Sequence, residues 1–177
     1  MFESCTSLVR APALPATSLA YSCYINMFAY CTSLAEAPEL PAMSLTGYCY
    51  SYMFSSCTSL VRAPALPAMS LADYCYSYMF ERCTSLAQAP ELPATELGGF
   101  CYMSMFNGCA SLVRAPELPA MSLDDYCYQN MFSGCTSLTQ APSVLPAMTL
   151  KKCCYQNMFI GCTALTKAPI LPASSLE

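Results

Sequence analysis

Hydrophobic and polar positions recur along this chain with a single period. The segment CTSLVRAPALPATSLAYSCYINMFAY, which starts at Cys5, is followed by variants of itself. These variants begin at Cys31, Cys57, Cys83, Cys109, Cys135 and Cys162. The first five steps are 26 residues long, and the sixth is 27 because residues 141–147 include one extra residue. A period of about 20–50 residues is typical of solenoids, in which each coil buries its hydrophobic side chains only against its neighbours.

Two structural elements are predicted in each coil. The pattern Ser-Leu-x-x-Ala, as in Ser7–Ala11, predicts a short strand that pairs in parallel with its equivalent about 4.8 Å away. The Ala-Pro step that follows interrupts this pairing, because proline has no N–H to donate. Ser18 and its equivalents precede the second leucine and are good helix N-caps. From Leu19, Cys23 and Met27 fall on one face at about 100° per residue, which predicts a short amphipathic helix.

The predicted fold is therefore a right-handed α/β solenoid. Short parallel strands occupy one face, short helices occupy the other, and the period is 26 residues. Residues 1–177 are expected to form one repeat domain with a continuous core, in which 1–4 and 162–177 are partial coils. Neither end shows the polar cap that is typical of solenoids. This leaves two hypotheses: a fragment of a longer protein, or a chain that stacks head to tail through open ends.

Composition excludes several classes of partner. Hydrophobic residues make up 55% of the chain and charged residues 10%, against about 45–50% and about 25% in ordinary soluble domains. Seven Lys and Arg against eleven Asp and Glu give a net charge of −4, which disfavours nucleic acid as a partner. Polar residues and prolines break every apolar stretch well short of the ~18 residues needed to cross a membrane. The first residues show no charged n-region, apolar h-region or cleavage site, so we expect no secretory signal in this stretch.

The residue types argue against an enzyme. The chain has no histidine, so the commonest general base and metal ligand is missing. Serine is abundant, but no residue pattern would activate it, and the carboxylates are scattered apart from Asp124 and Asp125. The six glycines are isolated apart from Gly98-Gly99, so no phosphate-binding loop is present. We therefore expect no catalytic residue, no cofactor and no metal site.

Thirteen of the fourteen cysteines fall into two rows, with steps that alternate between 18 and 8 residues in the regular coils, and Cys153 is the fourteenth. Equivalent cysteines of neighbouring coils are expected about 5 Å apart, a distance that permits disulfides. A small buried thiol also fits a crowded position in a stack. We favour buried free thiols over systematic disulfides, and both over a metal site, since structural zinc usually takes local Cys-x₂₋₄-Cys pairs.

Only the variable positions can specify a partner. Two residues after the first leucine of each coil stands a polar side chain: Arg10, Glu36, Arg62, Gln88, Arg114, Gln140 and Lys167. Between the two prolines of a coil stand Glu39, Glu91 and Glu117 in three of the coils. Together these ten positions predict a polar ribbon on the strand face that a protein could bind. The alternative is that the alternating signs only avoid like charges on adjacent strands.

One known family resembles this repeat. The pattern G-C-T-S-L-x-x-A-P-x-L-P, followed by Met-Phe, is similar to the BspA-like branch of the leucine-rich repeats, over essentially the whole chain. The resemblance implies that Leu8, Ala11 and Leu14 point inward and that Phe28 and its equivalents form an aromatic spine. The repeat departs from that family in its longer coil, in its Ala-Pro step and in its second cysteine.

The resemblance also implies a function and a location. It implies a bacterial surface protein, at the cell surface or extracellular, that adheres to host or matrix proteins. The expected function is therefore non-enzymatic protein recognition or adhesion through the variable strand face. The alternative is a self-associating structural solenoid whose partner is another copy of itself.

Overall fold

Short parallel strands join consecutive coils in a computed structural model that describes residues 1–176. The strands are two residues long: β1 (Ser18–Leu19), β2 (Ser44–Leu45), β3 (Ser70–Leu71), β4 (Glu96–Leu97), β5 (Thr149–Leu150) and β6 (Ser175–Leu176). They pair as β1–β2, β3–β4 and β5–β6, each in the register of equivalent coil positions. The 26-residue repeat of the sequence is therefore a spatial repeat as well.

A second parallel ladder runs where the sequence predicted strands. Arg10, Glu36, Arg62, Gln88, Arg114 and Gln140 are joined in that order by five single bridges. The pairing does not extend into longer strands, because the next residue but one is a proline that has no N–H to donate. Parallel coil-to-coil pairing at this position is confirmed, although its length is one residue per coil.

The predicted helices are wrong. No helix occurs within residues 1–176, so the α/β assignment fails on its helical half. Of the six Ser and Thr positions predicted as helix N-caps, Ser122 lies in no strand, and the other five lie in strands: Ser18, Ser44, Ser70, Thr149 and Ser175. The chain after each strand forms successive turns, in which Ser22, Tyr24 and Asn26 have positive φ angles of 58°, 63° and 52°. A right-handed helix cannot continue through left-handed residues.

Hydrogen bonding explains why turns replace the helix. Within the segment, the N–H of Cys23 binds Ala20 O at 3.1 Å and the N–H of Met27 binds Tyr24 O at 3.3 Å. The alternate N–H groups donate to the next coil, for example from Ser22 to Gly47 O at 2.9 Å. A helix would direct nearly all its N–H groups to its own carbonyls. The turn segment therefore shares its donors between its own coil and the next.

The left-handed residues carry a conformational cost of roughly 1–2 kcal/mol each. Inter-coil hydrogen bonds oppose it, each contributing about 0.5–1.5 kcal/mol. Three such bonds leave the first turn segment besides that of Ser22, from the N–H groups of Asn26, Phe28 and Tyr30, at 3.0, 2.9 and 2.8 Å. The segment is thus stable only when a neighbouring coil supplies the acceptors.

Aromatic ladders fill the interior of the stack. The rings of Phe2, Phe28, Phe54, Phe80, Phe106, Phe132 and Phe159 stack at 5.6–5.7 Å between centroids. A parallel row consists of Tyr24, Tyr50, Tyr76, Tyr102, Tyr128 and Tyr155, at 5.6–5.8 Å. The buried apolar residues form one continuous cluster along the chain. The phenylalanine spine therefore spans all the coils as one core.

Both cysteine rows bind the main chain of the preceding coil. Cys57 Sγ donates to Phe28 O at 3.1 Å, and Cys83 Sγ donates to Phe54 O at 3.1 Å. In the second row, Cys75 Sγ donates to Thr46 O at 3.2 Å. All fourteen cysteines are free thiols in the structure, and eleven of them are buried. Cysteine is thus a small core residue with a weak donor that reaches one coil back.

Candidate functional site: the charged ribbon

The ten residues of the predicted polar ribbon are all exposed: Arg10, Glu36, Arg62, Gln88, Arg114, Gln140, Lys167, Glu39, Glu91 and Glu117. Six of them, Arg10 through Gln140, form the ladder of parallel bridges. Their side chains therefore follow the stack at a fixed spacing of one coil. We call these ten residues the ribbon.

Lys167 is the exception to this alignment. It takes part in no bridge within residues 1–176, and the last bridge of the ladder joins Val144 to Ile170 instead. The physical reason is the extra residue in 141–147, which lengthens this coil and shifts the pairing position. The structure therefore does not bring Lys167 into the ladder that the sequence predicted.

The ribbon carries both signs of charge. It holds four cations and four carboxylates, and the charges alternate from Arg10 to Glu36 to Arg62. In residues 1–176 one ion pair is present, and it lies elsewhere, between Lys151 Nζ and Asp124 at 3.4 Å. The ribbon arginines and glutamates are therefore not tied to one another by salt bridges. Apart from the carboxylate of Glu117, which accepts hydrogen bonds from Ser143, these charged groups are open to a partner.

Glu117 differs from the other ribbon carboxylates because it has partners in the chain. Its Oε2 accepts hydrogen bonds from the Ser143 N–H at 3.2 Å and from the Ser143 hydroxyl at 3.0 Å. Ser143 lies in the coil with the extra residue. Glu117 therefore secures the longer loop beside the ribbon.

An open groove of 940 Å³ lies on the ribbon over the fourth to sixth coils. It brings together five ribbon residues: Gln88, Glu91, Arg114, Glu117 and Gln140. Its walls include Pro90, Pro93, Pro116 and Pro119, whose rings fix the backbone and carry no N–H. The groove thus combines a rigid apolar wall with charged groups, an arrangement suited to binding an extended chain.

Exposed valines lie next to the ribbon, and they were not among the residues that the sequence predicted to bind a partner. Val9, Val61 and Val113 directly precede the ribbon arginines and are 58%, 47% and 48% exposed. Alanine stands at this position in the coils of Glu36 and Gln88. A comparison of alternate coils, rather than consecutive ones, carries the signal: LVRAPALPA (twice) and LVRAPELPA alternate with LAEAPELPA and LAQAPELPA.

The methionine row lies at the surface. Met43, Met69, Met121 and Met148 are between 46% and 67% exposed. The alanine that precedes each of them, such as Ala42 or Ala68, is buried. The row extends the apolar surface around the corner from the ribbon.

A third aromatic row lies on the turn face, and it was not predicted from the sequence. Tyr48, Tyr74, Phe100 and Tyr126 stack at 4.3–4.5 Å between centroids. Lys152 Nζ lies 5.4 Å from the Tyr126 ring, and Tyr21 meets Tyr48 edge to face. These neighbours occupy the ring faces, so the row offers ring edges and hydroxyl groups rather than stacking platforms.

The buried thiols have low reactivity because their pKa values are raised. Burial, with a smaller contribution from the neighbouring Cys31, raises the pKa of Cys57 to about 12. Burial likewise raises the pKa of Cys75, Cys127 and Cys135 to about 12. These residues are therefore protonated at neutral pH. Because the thiolate is the nucleophile and the metal ligand, they are poor nucleophiles and poor metal ligands. No group of three His, Cys, Asp or Glu positioned for a metal ion occurs in the part of the chain that the structure describes.

The fold and the ribbon together define a repeat protein with a ladder of exposed charged and amide side chains and no helix among its described residues. Comparisons of the chain with protein-family models, curated proteins and solved structures gave no match. The resemblance to BspA-like leucine-rich repeats, like the right hand of the coils, stays a prediction from sequence. Among the described residues, no helix is long and apolar enough to cross a membrane.

Proposed function

We propose that the protein is a non-enzymatic recognition module that binds another protein through the ribbon. The observation that carries the proposal is a ladder of charges in register that lacks internal salt bridges and borders an open groove. Exposed charges add little to stability, so their ordered placement is better explained by complementarity to a partner. The half-exposed valines beside the arginines add apolar contact area.

The sequence resemblance supports a more specific version of this proposal. In that version the module belongs to a bacterial surface protein, lies at the cell surface or outside the cell, and adheres to a host or matrix protein. This part of the proposal rests on the repeat pattern alone, and it depends on the ribbon being the binding face.

The test is a selection of binding peptides from a random displayed library. Enriched peptides are measured against the wild-type chain and against Arg62→Ser and Arg114→Ser. We expect each variant to weaken binding at least tenfold. Arg82→Ser is the matched control, because Arg82 is an exposed cation on the turn face and Ser56 occupies the equivalent position one coil earlier. Enriched peptides that bind all variants equally would contradict the proposal.

Self-association is the second candidate, and one observation favours it. In the turn segment most inter-coil N–H groups donate toward the next coil, as from Tyr52 to Ser77 O at 2.9 Å. The two faces of a coil are therefore different and complementary, which is the requirement for head-to-tail contact between copies. Sedimentation velocity over a range of concentrations tests this, and a concentration-independent monomer would rule it out.

A further inference from the structure

Alternate coils of the ribbon present two different surfaces. The coils of Arg10, Arg62 and Arg114 each offer an exposed valine followed by a cation, and the coil of Arg114 adds the carboxylate of Glu117, which accepts hydrogen bonds from Ser143. The coils between them offer alanine, then Glu36 or Gln88, and then a carboxylate from Glu39 or Glu91. The bridge ladder joins these coils in strict order. Over the first five coils the surface repeat is therefore two coils, twice the repeat of the fold.

The spacing of this surface repeat follows from the pairing of the coils. Parallel backbone segments lie about 4.8 Å apart, so two coils span about 9.6 Å. The three arginines thus form a row of cations about 9.6 Å apart, with acidic or amide groups halfway between. A partner that binds several coils at once must repeat with the same spacing.

Extended peptides differ in how well they match this spacing. In a polyproline II helix every third residue lies on the same face, about 9.3 Å apart, so the mismatch over two repeats is about 0.6 Å. Seven residues of an α-helix span about 10.5 Å, and the mismatch over two repeats grows to about 1.8 Å. A β-strand places same-face residues about 6.7 Å apart, which matches neither one coil nor two. The polyproline II conformation fits best.

The signs of charge restrict the partner further. A polyanion would meet the carboxylates of Glu36, Glu39 and Glu91 between the arginines, and a polycation would meet the arginines. A chain with one acidic and one basic residue in every three satisfies both sets. The remaining residue of the triplet faces the apolar wall of the groove, which includes Pro90, Pro93 and Val113.

We propose that the ribbon binds a peptide in the polyproline II conformation whose acidic and basic residues recur every third position. This inference rests on the proposed function and specifies its ligand. The acidic residues of the peptide pair with Arg10, Arg62 and Arg114, and its basic residues pair with the carboxylates of the coils between. Proline at the third position lowers the entropy lost on binding, because it holds the peptide in its bound shape.

The experiment uses a fluorescent peptide of about twelve residues that repeats the triplet Glu-Pro-Lys. A second peptide of the same composition collects the glutamates in one half and the lysines in the other. Fluorescence anisotropy with the full chain should show at least tenfold tighter binding of the triplet peptide. Equal binding of the two peptides would overturn the proposal.

A charge-exchange variant provides the matched control on the protein side. Arg62→Gln together with Gln88→Arg keeps composition and net charge but moves a cation by one coil. Both residues are exposed and lie in the same ladder, so the fold is expected to remain intact, and its unfolding curve verifies this. The variant should lose at least tenfold in affinity for the triplet peptide, whereas Arg82→Ser should bind as the wild type does.

The two proposals fail in different ways. If peptides selected from the random library need Arg62 but the triplet peptide binds no better than its rearranged control, only the polyproline II inference is wrong. If neither kind of peptide responds to changes in the ribbon, the ribbon is not the binding face and both proposals are wrong. An unchanged affinity of the charge-exchange variant for the triplet peptide also contradicts the inference.

Discussion

At the scale of single residues, cysteine determines much of the chemistry of this interior. Each thiol of the two rows, from the second coil onward, donates to a carbonyl of the preceding coil, as Cys109 does to Phe80 O at 3.0 Å. The side chain is small enough for a ladder position and still supplies a donor. Burial raises the pKa of these thiols, so the same positions that stabilise the stack are protected from reaction.

Thiol reactivity should therefore follow burial. Cys5 is exposed, Cys23 and Cys153 are half-buried, and the other eleven cysteines are buried. With iodoacetamide at pH 8, mass spectrometry should find these three residues modified first and the rest only after denaturation, because the reaction requires an accessible thiolate. Uniform modification of the native chain would contradict the buried ladders. Resistance in denaturant without reductant would reveal disulfides.

Alkaline pH should destabilise the fold. Cys57 has a pKa of about 12 in the folded chain, against an ordinary value near 9. Between these values the unfolded chain releases the proton while the folded chain keeps it, so the stability that is fully present below about pH 9 is lost as pH rises toward 12. Urea unfolding at pH 7, 9 and 10.5 should show a falling free energy of unfolding. A constant value would contradict the burial of the thiols.

At the scale of elements, the turn segment is what distinguishes this repeat from the predicted solenoid, in which a short helix occupied the same place. Its left-handed residues lie at fixed positions, and the last of them is Tyr30, Ser56 or Arg82 in early coils and glycine in later ones. Glycine adopts this conformation without the steric cost that other residues bear. The late coils therefore form this turn with less strain than the early ones.

Glycine substitutions should separate the cost of backbone strain at a positive φ from the cost of a steric clash with an added Cβ. Gly134 has a φ of +74°, and an added Cβ would meet no heavy atom closer than 3.6 Å. Gly134→Ala should therefore lower the free energy of unfolding by about 1 kcal/mol through backbone strain alone. Gly47→Ala is the control, because Gly47 has no positive φ and its added Cβ would meet the edge of the exposed Tyr21 ring, which can move aside. Equal losses in urea unfolding would contradict this account.

The same segment shows where the sequence was informative and where it misled. The parallel ladder at Arg10 and Glu36 follows from the period alone, because equivalent residues of a stack must face each other. The helix prediction relied on apolar residues four apart, such as Cys23 and Met27. That spacing also satisfies a period of two, which the tyrosines at 48, 50 and 52 display. Left-handed tyrosines have no propensity signal, since only the inter-coil hydrogen bonds make them stable.

The candidate site was predictable in position but not in shape. Exposure of all ten ribbon residues follows from their variability in an otherwise constant coil. The groove beside Arg114 depends on how the fourth and fifth coils pack against each other. The displacement of Lys167 follows the extra residue in 141–147. The partnership of Glu117 with Ser143 likewise arises only from that loop. Such features belong to the three-dimensional contact and leave no separate mark in the repeat.

At the scale of the whole molecule, stability resides between coils rather than within them. The phenylalanine and tyrosine ladders, the thiol contacts and the turn hydrogen bonds all connect one coil to the next. Each coil contacts mainly its neighbours, so the stability of the stack is close to a sum over interfaces. Removal of whole coils should therefore shorten the molecule without changing its fold.

Deletion of coils should reveal the two different periods. Removing residues 57–82 deletes one coil, and removing 57–108 deletes two. Both chains should unfold cooperatively in urea with a smaller dependence on denaturant, because less surface is buried. Deleting two coils places Arg114 two coils from Arg10, as Arg62 is in the intact chain, whereas deleting one coil leaves the two arginines three coils apart. The chain that lacks two coils should therefore retain more affinity for the triplet peptide. Loss of folding in both deletions would contradict the additive picture.

The extra residue in 141–147 also limits the length of the ladder of bridged ribbon residues. Upstream of it, the bridged positions from Arg10 to Gln140 form a ladder of six residues, one in each coil. With about 4.8 Å between neighbouring residues, the ladder is about 24 Å long. About eight residues of a polyproline II chain would span this length. If the proposed peptide binds the ladder, a longer peptide would find no further bridged position in line beyond Gln140. The single inserted residue would then set the length of peptide that is bound.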